Sequence, residues 1–151
     1  MKNVDDVIDC LISDLKLEPH PEGGFYKEIY RSKEKMDGGG LPDRFSGDRN
    51  FLTSIYFLLV KDSYSAFHKI QSDELWFFHK GAPVDIHVIY PDGEYQKIEL
   101  GENLYQCDIP AQSWFASKTI GKYSLVSCAV APGFDFEDFE LAKEKKLVKT
   151  Y

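Results

Sequence analysis

The sequence predicts an all-β domain with a short helix before the strands and a short helix after them. From residue 51 to residue 131, short apolar or alternating runs recur at spacings of about 8–12 residues, with turn residues between them. Aromatic residues, which favour strands, make up 15% of the chain. A length of 151 residues with 43% hydrophobic content fits a single domain over residues 1–151 with a core of its own.

The N-terminal segment is predicted to be an amphipathic helix, because apolar residues recur at helical spacing from Val4 to Leu15. Residues 18–24, EPHPEGG, contain prolines and glycines that end this helix and turn the chain into FYKEIYR, an alternating strand. Residues 33–48 are polar and rich in glycine. They are interpreted as a mobile surface loop without core residues.

The strands of the core are expected to begin at residue 51. Pro91, Asp92 and Gly93 stand between two of them and indicate a hairpin. The final segment, 135–150, is predicted to be a helix with a cationic end, which suits the helix dipole. The predicted strands cover residues 51–60, 63–70, 73–79, 83–90, 95–100, 104–110, 113–118 and 123–131.

Composition and charge exclude several classes of partner. The net charge of -7, with scattered basic residues, argues against binding to nucleic acid or to an anionic membrane. No apolar run approaches the roughly 20 residues that cross a bilayer. The three cysteines, Cys10, Cys107 and Cys128, show no metal-type spacing and are expected to be reduced thiols. The acidic N-terminus is unlike a signal peptide, so a cytoplasmic location is expected.

Five sequence blocks extend over nearly the whole chain: PHPEGGFYKEIYRS at 19–32, TSIYFLL at 53–59, FHKIQSDELWFF at 67–78, IPAQSWFA at 109–116 and VAPGFDFEDFELA at 130–142. In this order they resemble the DUF985 family, also called cupin_5. The resemblance implies a double-stranded β-helix, the cupin jelly roll, commonly paired as a homodimer. It implies little about the reaction, because a fold does not fix a function.

Within the cupin superfamily, matched motifs supply two histidines, a glutamate and a later histidine to a metal. Here His68 and Glu74 occupy matching positions, Ile70 replaces the second histidine, and Trp114 stands about where the last one would come. A stable transition-metal site generally needs three or more protein ligands. We therefore expect no metal cofactor, and a divalent metal, if bound at all, would be held weakly by His68 and Glu74.

His68 and Glu74 are the candidate catalytic residues. As a pair inside an apolar barrel, they are expected to act as a base and the carboxylate that orients it. The alternative is an interior histidine that is bonded to Glu74 and does nothing else. The candidate ligand-binding residues are those that share the strand face of Glu74, lie on neighbouring strands or match the second motif: Tyr56, Trp76, Phe78, Gln106, Trp114 and Tyr123.

Strand alternation predicts the direction in which the histidines on the other strands point. His79 is expected to point away from the face of Glu74, and His87 is expected on a solvated face. His20 lies in the PHPEGG turn, and its role is left open. The glycine pair in that turn either lets the backbone approach a ligand or simply makes the turn.

Three functions remain open. The first is a cupin that binds a small organic molecule without metal, as an isomerase or epimerase with a sugar-nucleotide-like substrate. The second is a metal-dependent oxygenase, and the third is a non-catalytic ligand-binding or sensor module. A homodimer is expected in each case, with the apolar strand at 51–60 as a candidate contributor to its interface.

Overall fold

Residues 3–142 are described by a computed structural model, and their strands form two facing sheets and a short ribbon. One helix, α1, spans Val4–Asp14, and two single-turn 3-10 helices span Gly38–Gly40 and Phe136–Asp138. The strands are β1 (Glu18–Pro19), β2 (Phe25–Arg31), β3 (Lys35–Met36), β4 (Arg49–Asn50), β5 (Thr53–Val60), β6 (Tyr64–Lys69), β7 (Asp73–Gly81), β8 (Val84–Ile89), β9 (Tyr95–Leu100), β10 (Gln106–Ile109), β11 (Trp114–Thr119), β12 (Tyr123–Ala131) and β13 (Glu140–Leu141).

The two sheets confirm the predicted all-β jelly roll. One sheet has six strands in the order β1-β2-β5-β12-β7-β10, and the other has five in the order β13-β6-β11-β8-β9. Neighbouring strands in both sheets are antiparallel. The predicted hairpin is also confirmed, since β8 and β9 pair across the turn in which Gly93 has a φ of 90°. The chain passes repeatedly between the sheets, so residues distant in sequence meet inside.

The core lies between the inner faces of the sheets and fills one end of the barrel. The inner face of the six-stranded sheet contributes Phe57, Trp76 and Phe78, and the five-stranded sheet contributes Ile86 and Phe115. Strand alternation explains this set, because every second residue of a strand points to the same face. The side chains of the other face are thus available for a second layer.

Helix α1 forms that second layer on the outer face of the six-stranded sheet. Asn3 caps it by accepting a hydrogen bond from the Asp6 amide at 2.8 Å. Its apolar side packs with Leu58 and Leu125 in a second core cluster that also contains Tyr56 and Tyr123. Apolar residues therefore occur on both faces of β5, which explains the almost continuous apolar run at 51–60.

The expected role of the segment 51–60 at an interface does not fit its position. Strand β5 lies inside the six-stranded sheet, with β2 on one side and β12 on the other. Its backbone groups are already paired, so it offers no free edge to a second copy. The homodimer stays a prediction, and the strands at the sheet edges near the filled end are β9 and β10.

The interpretation of residues 33–48 as a loop without core residues is wrong in part. Phe45 is buried, and the segment is held by the β3–β4 ribbon and the turn at Gly38–Gly40. In β4 of the ribbon, Arg49 is buried and donates two hydrogen bonds to the Asp138 carboxylate, of 2.7 and 2.8 Å. A single buried aromatic ring and a buried ion pair thus fix a stretch whose composition is polar.

Half of the predicted C-terminal helix at 135–150, residues 143–150, lies outside the described part. Within the described part, residues 136–138 make one 3-10 turn, and β13 pairs with β6. The prediction is therefore wrong for the start of this segment, where pairing with a sheet edge replaces helical hydrogen bonds. In residues 3–142, no helix has the length and apolar character that crossing a membrane requires.

Candidate functional site

A cavity of about 580 Å³ opens at one end of the barrel, between the two sheets. Its walls come from both sheets, from the turn at residues 20–24 and from the segment after β12. The lining residues discussed below are Glu18, His20, Glu22, Tyr26, Lys27, Glu28, Arg31, Phe57, His68, Glu74, Trp76, Cys128, Phe134, Asp135, Phe136 and Phe139. The size falls within the range of small-molecule sites.

Strand register places Glu74 and Trp76 in this cavity. Glu74 pairs with Val130 of β12, and Trp76 pairs with Cys128 of the same strand. These cross-strand neighbours point to the inner face, as alternation requires. Both Glu74 and Trp76 are buried, which agrees with their predicted inward orientation. Phe78 also points inward, but it lies in the packed core next to Tyr105 and does not line the cavity.

A β-bulge in β2 turns a charged pair toward the cavity mouth. The register between β2 and β5 shifts after Glu28, so that Glu28 pairs with Ile55 while Arg31 pairs with Thr53. In a regular strand, Glu28 and Arg31 would lie on opposite faces, but an extra residue places both on the same face. The Arg31 guanidinium donates to both Glu28 carboxylate oxygens, at 2.7 and 3.2 Å.

The turn at residues 20–24 carries Glu22 into the barrel. The Ala66 amide of β6 donates to the Glu22 carbonyl at 2.8 Å, which ties the turn to the five-stranded sheet. Gly23 and Gly24 have φ angles of 110° and 80°, a conformation that other residues rarely adopt. A Cβ atom on Gly23 would also collide with the Tyr64 carbonyl. The glycine pair is therefore required by the turn, and the turn places Glu22 beside β6.

Glu22 and His68 form a buried pair at the base of the cavity. His68 Nε2 lies 2.6 Å from Glu22 Oε2, and His68 Nδ1 lies 2.7 Å from the Ala66 carbonyl oxygen. Nδ1 must donate to this carbonyl, so Nε2 faces the carboxylate. Burial alone would lower the pKa of His68, but Glu22, the Ala66 carbonyl and Glu74 outweigh it and raise that pKa. The pair therefore shares a proton, and the imidazolium is stabilised.

The contact between Glu22 and His68 leaves part of the carboxylate available. His68 occupies one side of Glu22 Oε2, and this oxygen accepts from no other group within residues 3–142. A carboxylate oxygen has further acceptor capacity, and Glu22 is only 8% exposed. The Glu22 carboxylate is consequently a candidate acceptor for a ligand.

Glu74 is the second buried carboxyl group of the cavity. It accepts a short hydrogen bond from Trp76 Nε1. Burial raises the pKa of Glu74 to about 7, with Glu22 adding to the increase, while His68 and the indole N–H act in the opposite direction. At neutral pH this carboxyl is therefore divided between its protonated and ionised forms.

The expected direct bond between His68 and Glu74 is absent from the described contacts. His68 is engaged by Glu22 and Ala66, while Glu74 is engaged by Trp76. His68 and Glu74 still interact electrostatically across the cavity. The turn at residues 20–24 places the Glu22 carboxylate at His68 Nε2, the position at which a bond to Glu74 was expected.

His20 lies in the same turn and has the opposite electrostatic character. The Glu22 amide donates to His20 Nδ1 at 3.1 Å, so a neutral His20 carries its proton on Nε2. Burial lowers the pKa of His20, and nearby His68 lowers it further despite Glu22. The ring packs edge-on against Tyr26, with centroids 4.5 Å apart. His20 is thus a neutral, aromatic part of the wall.

The segment after β12 covers one side of the cavity with aromatic rings. Phe134, Phe136 and Phe139 contact each other edge to face, and Phe139 lies 5.5 Å from the His68 ring between centroids. The Arg49–Asp138 ion pair anchors this segment to the end of the ribbon. The aromatic run FDFEDFE therefore packs on the barrel and forms part of the cavity wall.

The structure brings three of the predicted site residues together: His68, Glu74 and Trp76 all line the cavity. Tyr56 and Tyr123 point to helix α1 on the other face of the sheet. Gln106 is exposed on the edge strand β10.

In the second motif, IPAQSWFA at 109–116, the residue that points inward is Phe115, one position after the expected Trp114. Phe115 is buried and packs against His68 in a tilted arrangement, with ring centroids 4.0 Å apart. Trp114 lies outside the cavity, with Lys69 Nζ 5.0 Å from its ring centroid. Trp114 and Phe115 therefore divide between the two faces of β11, as alternation requires. The remaining histidines lie outside the cavity, with His79 near Ser127 and His87 stacked on Tyr95.

Sequence reasoning missed Glu22, Arg31 and Cys128 as lining residues. A signal for Glu22 was present, because a carboxylate next to two glycines in a tight turn is unusual unless the turn is held against another element. Arg31 had no such signal, since the direction of its side chain depends on the bulge in β2.

Cys128 lines the cavity as a buried thiol. Burial raises the pKa of this thiol well above its usual range, with Glu74 adding to the increase, so the thiol is unreactive.

The cavity does not contain a fitting set of metal ligands. Within residues 3–142, no group of three or more His, Cys, Asp or Glu side chains is arranged to hold a metal ion. Both nitrogens of His68 are already engaged, and Ile70 lines the cavity where a second histidine would stand. The residues present therefore do not fit the metal that the wider superfamily binds.

The family model Cupin_5, described as Cupin superfamily (DUF985), matches residues 9–142. The chain belongs to this family. The DUF985 protein is 31% identical to the uncharacterized protein YML079W of Saccharomyces cerevisiae, over 92% of this chain and 77% of the relative. The family assignment from sequence is thereby confirmed.

Solved structures agree with this assignment. A hypothetical protein from Leishmania major superposes with a TM-score of 0.84 and 35% identity, covering 95% of this chain and 91% of that one. Protein SO0799 from Shewanella oneidensis gives a TM-score of 0.81 and 39% identity, covering 99% and 90%. Oxalate decarboxylase of Bacillus subtilis gives 0.62 at 14% identity, with 92% of this DUF985 chain but 35% of the enzyme covered, and shares the cupin fold alone.

Proposed function

We propose that this DUF985 protein binds a small organic molecule in the cavity and moves a proton on it, as a metal-independent isomerase or epimerase. The observation that carries the proposal is the convergence of Glu22, His68 and Glu74 on one cavity from three separate parts of the chain. Acid–base sites of this kind contain titratable groups whose surroundings give them different protonation states.

Glu22 is the proposed base. Its Oε2 atom is buried and accepts from no described residue other than His68, and Glu22 lines the cavity. The His68 imidazolium fixes the position of this carboxylate. Because both nitrogens of His68 are engaged, His68 acts as a positioning residue rather than as the base predicted from sequence.

Glu74 is the proposed acid. With a pKa of about 7, it is partly protonated at neutral pH and can donate its own proton to the substrate while Glu22 holds the proton that it has removed. One reaction class that uses a proton-accepting and a proton-donating carboxyl in this way is the transfer of a proton at a carbon next to a carbonyl group. Sugars that isomerise or epimerise have such a carbon, which makes a sugar-like molecule the proposed substrate.

Deuterium exchange tests this reaction class without knowledge of the natural substrate. The purified protein is incubated in D₂O with a panel of aldoses and ketoses, and loss of the proton next to the carbonyl is followed by NMR. We expect exchange above the buffer rate with at least one sugar and its loss in Glu22→Gln and Glu74→Gln. Glu102→Gln, an exposed carboxylate outside the cavity, should retain it.

The same panel distinguishes the remaining alternatives. Binding of a sugar without exchange would favour a non-catalytic binding module. Elemental analysis should find much less than one metal ion per chain. One tightly bound metal per chain would instead favour the metal-dependent class.

We also propose that the protein is a homodimer and that it acts in the cytoplasm. Light scattering that shows a monomer at micromolar concentration would contradict the dimer.

A further inference from the structure

The cations His68 and Arg31, which line the cavity, are already paired with carboxylates. His68 faces Glu22 at 2.6 Å, and Arg31 holds both oxygens of Glu28. The remaining donors of Arg31 are largely used as well, because it also donates to the Asn50 side chain at 2.8 Å and to the Phe134 carbonyl at 3.0 Å. Lys27 is the other basic side chain among the described residues that line the cavity, and it is exposed at the cavity rim.

An anionic ligand would therefore enter without a free partner inside the cavity. A phosphate would approach the carboxylates of Glu22 and Glu74 while His68, the buried cation of the described lining, is occupied. A cation would have to displace His68 from Glu22 or the proton from Glu74, whose pKa of about 7 leaves it partly neutral. The other acidic side chains of the lining, Glu18 and Asp135, are open to solvent. Burying a charge without a free partner is strongly unfavourable.

The polar atoms of the cavity that remain available are acceptors and one donor, so a ligand must offer both a hydrogen-bond donor and an acceptor. The buried Glu22 carboxylate has acceptor capacity beyond its contact with His68, and the Glu74 carboxyl has capacity beyond its bond from Trp76. Neutral His20 carries a proton on Nε2. A hydroxyl group satisfies both needs, because it donates one hydrogen bond and accepts others.

The remaining walls are apolar and mostly aromatic. Tyr26, Phe57 and Trp76 line one side, and Phe134 and Phe139 line the other. Such walls favour a ligand with flat, nonpolar C–H faces between its polar groups.

We propose that the ligand of this cavity is an uncharged, hydroxyl-bearing molecule of sugar or polyol type that donates hydrogen bonds to Glu22 and Glu74. This inference rests on the proposed function and narrows its substrate class. It leaves no place inside the cavity for the diphosphate of a sugar nucleotide.

Matched sugars that differ only in charge test the inference. D-glucose and D-galactose are compared with their 6-phosphates, their uronic acids and their 2-amino derivatives, by thermal shift and by tryptophan fluorescence. We expect a neutral sugar to bind the full-length protein at least about tenfold more tightly than its charged analogues. The Glu22→Gln variant leaves His68 without its carboxylate, so this variant should gain affinity for the uronic acid. Glu102→Gln should keep the preference of the wild-type protein.

The outcomes separate this inference from the proposed function. Phosphates, uronic acids or amines that bind as tightly as the neutral sugars would overturn the ligand class, while deuterium exchange could still support proton transfer. Failure of all members to bind would also overturn the ligand class. Only a negative result in the deuterium exchange panel as well would overturn the proposed function.

Discussion

Glu22 Oε2 lies 2.6 Å from His68 Nε2, which joins a tight turn before the first long strand to the inner face of the opposite sheet. Because the imidazole donates its other N–H to the Ala66 carbonyl, the ring cannot rotate away from the carboxylate without losing that bond. The pair fixes the base of the cavity and holds the Glu22 carboxylate where it can face a ligand.

The pKa of His68 should depend on Glu22. Replacing Glu22 by Gln removes the carboxylate that opposes desolvation, so the pKa of His68 should fall. NMR titration of the ring protons measures this change. Glu102→Gln is the control, because Glu102 lies outside the cavity. A pKa of His68 that is the same in the Glu22→Gln variant and the wild type would show that the two groups are not paired in solution.

Stability should decrease as pH rises toward the slightly alkaline range. The pKa of Glu74 is raised from 4.5 to about 7, so the folded protein keeps a proton that the unfolded chain has already lost. This contribution is fully present below pH 4.5 and is lost as pH rises through about 7. His68, whose pKa is also raised, contributes with the same sign, whereas His20, whose pKa is lowered, opposes it.

Glu74→Gln should flatten this pH profile, because an amide does not titrate. The measurement is the Tm of both proteins between about pH 5 and pH 8 by calorimetry. Near Glu74, the ionisable groups Glu22, His68, Cys107 and Cys128 remain in the variant. Parallel profiles for the two proteins would mean that Glu74 keeps an ordinary pKa.

The ion pair between Arg49 and Asp138 should contribute strongly to stability. Both side chains are almost fully buried, at 3% and 4% exposure. Asp138→Ala would leave the Arg49 charge buried with only weaker partners, and we expect a loss of about 3 kcal/mol. Glu137→Gln removes a neighbouring carboxylate that is 68% exposed and 3.7 Å from Arg49, so it should cost less than about 1 kcal/mol. Urea denaturation compares the two variants, and equal losses would contradict the assignment.

Gly23 should be intolerant of substitution. Its φ of 110° is strained for other residues, and a Cβ would collide with the Tyr64 carbonyl. We expect Gly23→Ala to cost at least about 2 kcal/mol and to displace Glu22 from His68. Gly40→Ala is the matched control, since a Cβ there meets nothing within 4 Å. Equal stability of the two variants in thermal unfolding would show that the turn adopts another conformation.

Local sequence patterns were sufficient to predict the fold and part of the site. Alternation in DELWFF placed Glu74 and Trp76 on the inner face, and it placed His79 on the other. Helical spacing before residue 16 predicted α1. In each case a two-residue or a 3.6-residue period determines which side chains share a face, and this period can be read without knowledge of the neighbouring elements.

The sequence by itself therefore determined the class of fold, its family and two residues at the base of the cavity, His68 and Glu74. Only the tertiary structure decided the partners of these residues. Glu22 reaches His68 because a backbone hydrogen bond ties its turn to β6, and Arg31 faces the cavity mouth because a bulge shifts the register of β2. Tyr56 and Tyr123 pack under α1 because the sheet buries both of its faces. These outcomes depend on contacts between distant segments, which periodicity within one strand does not specify.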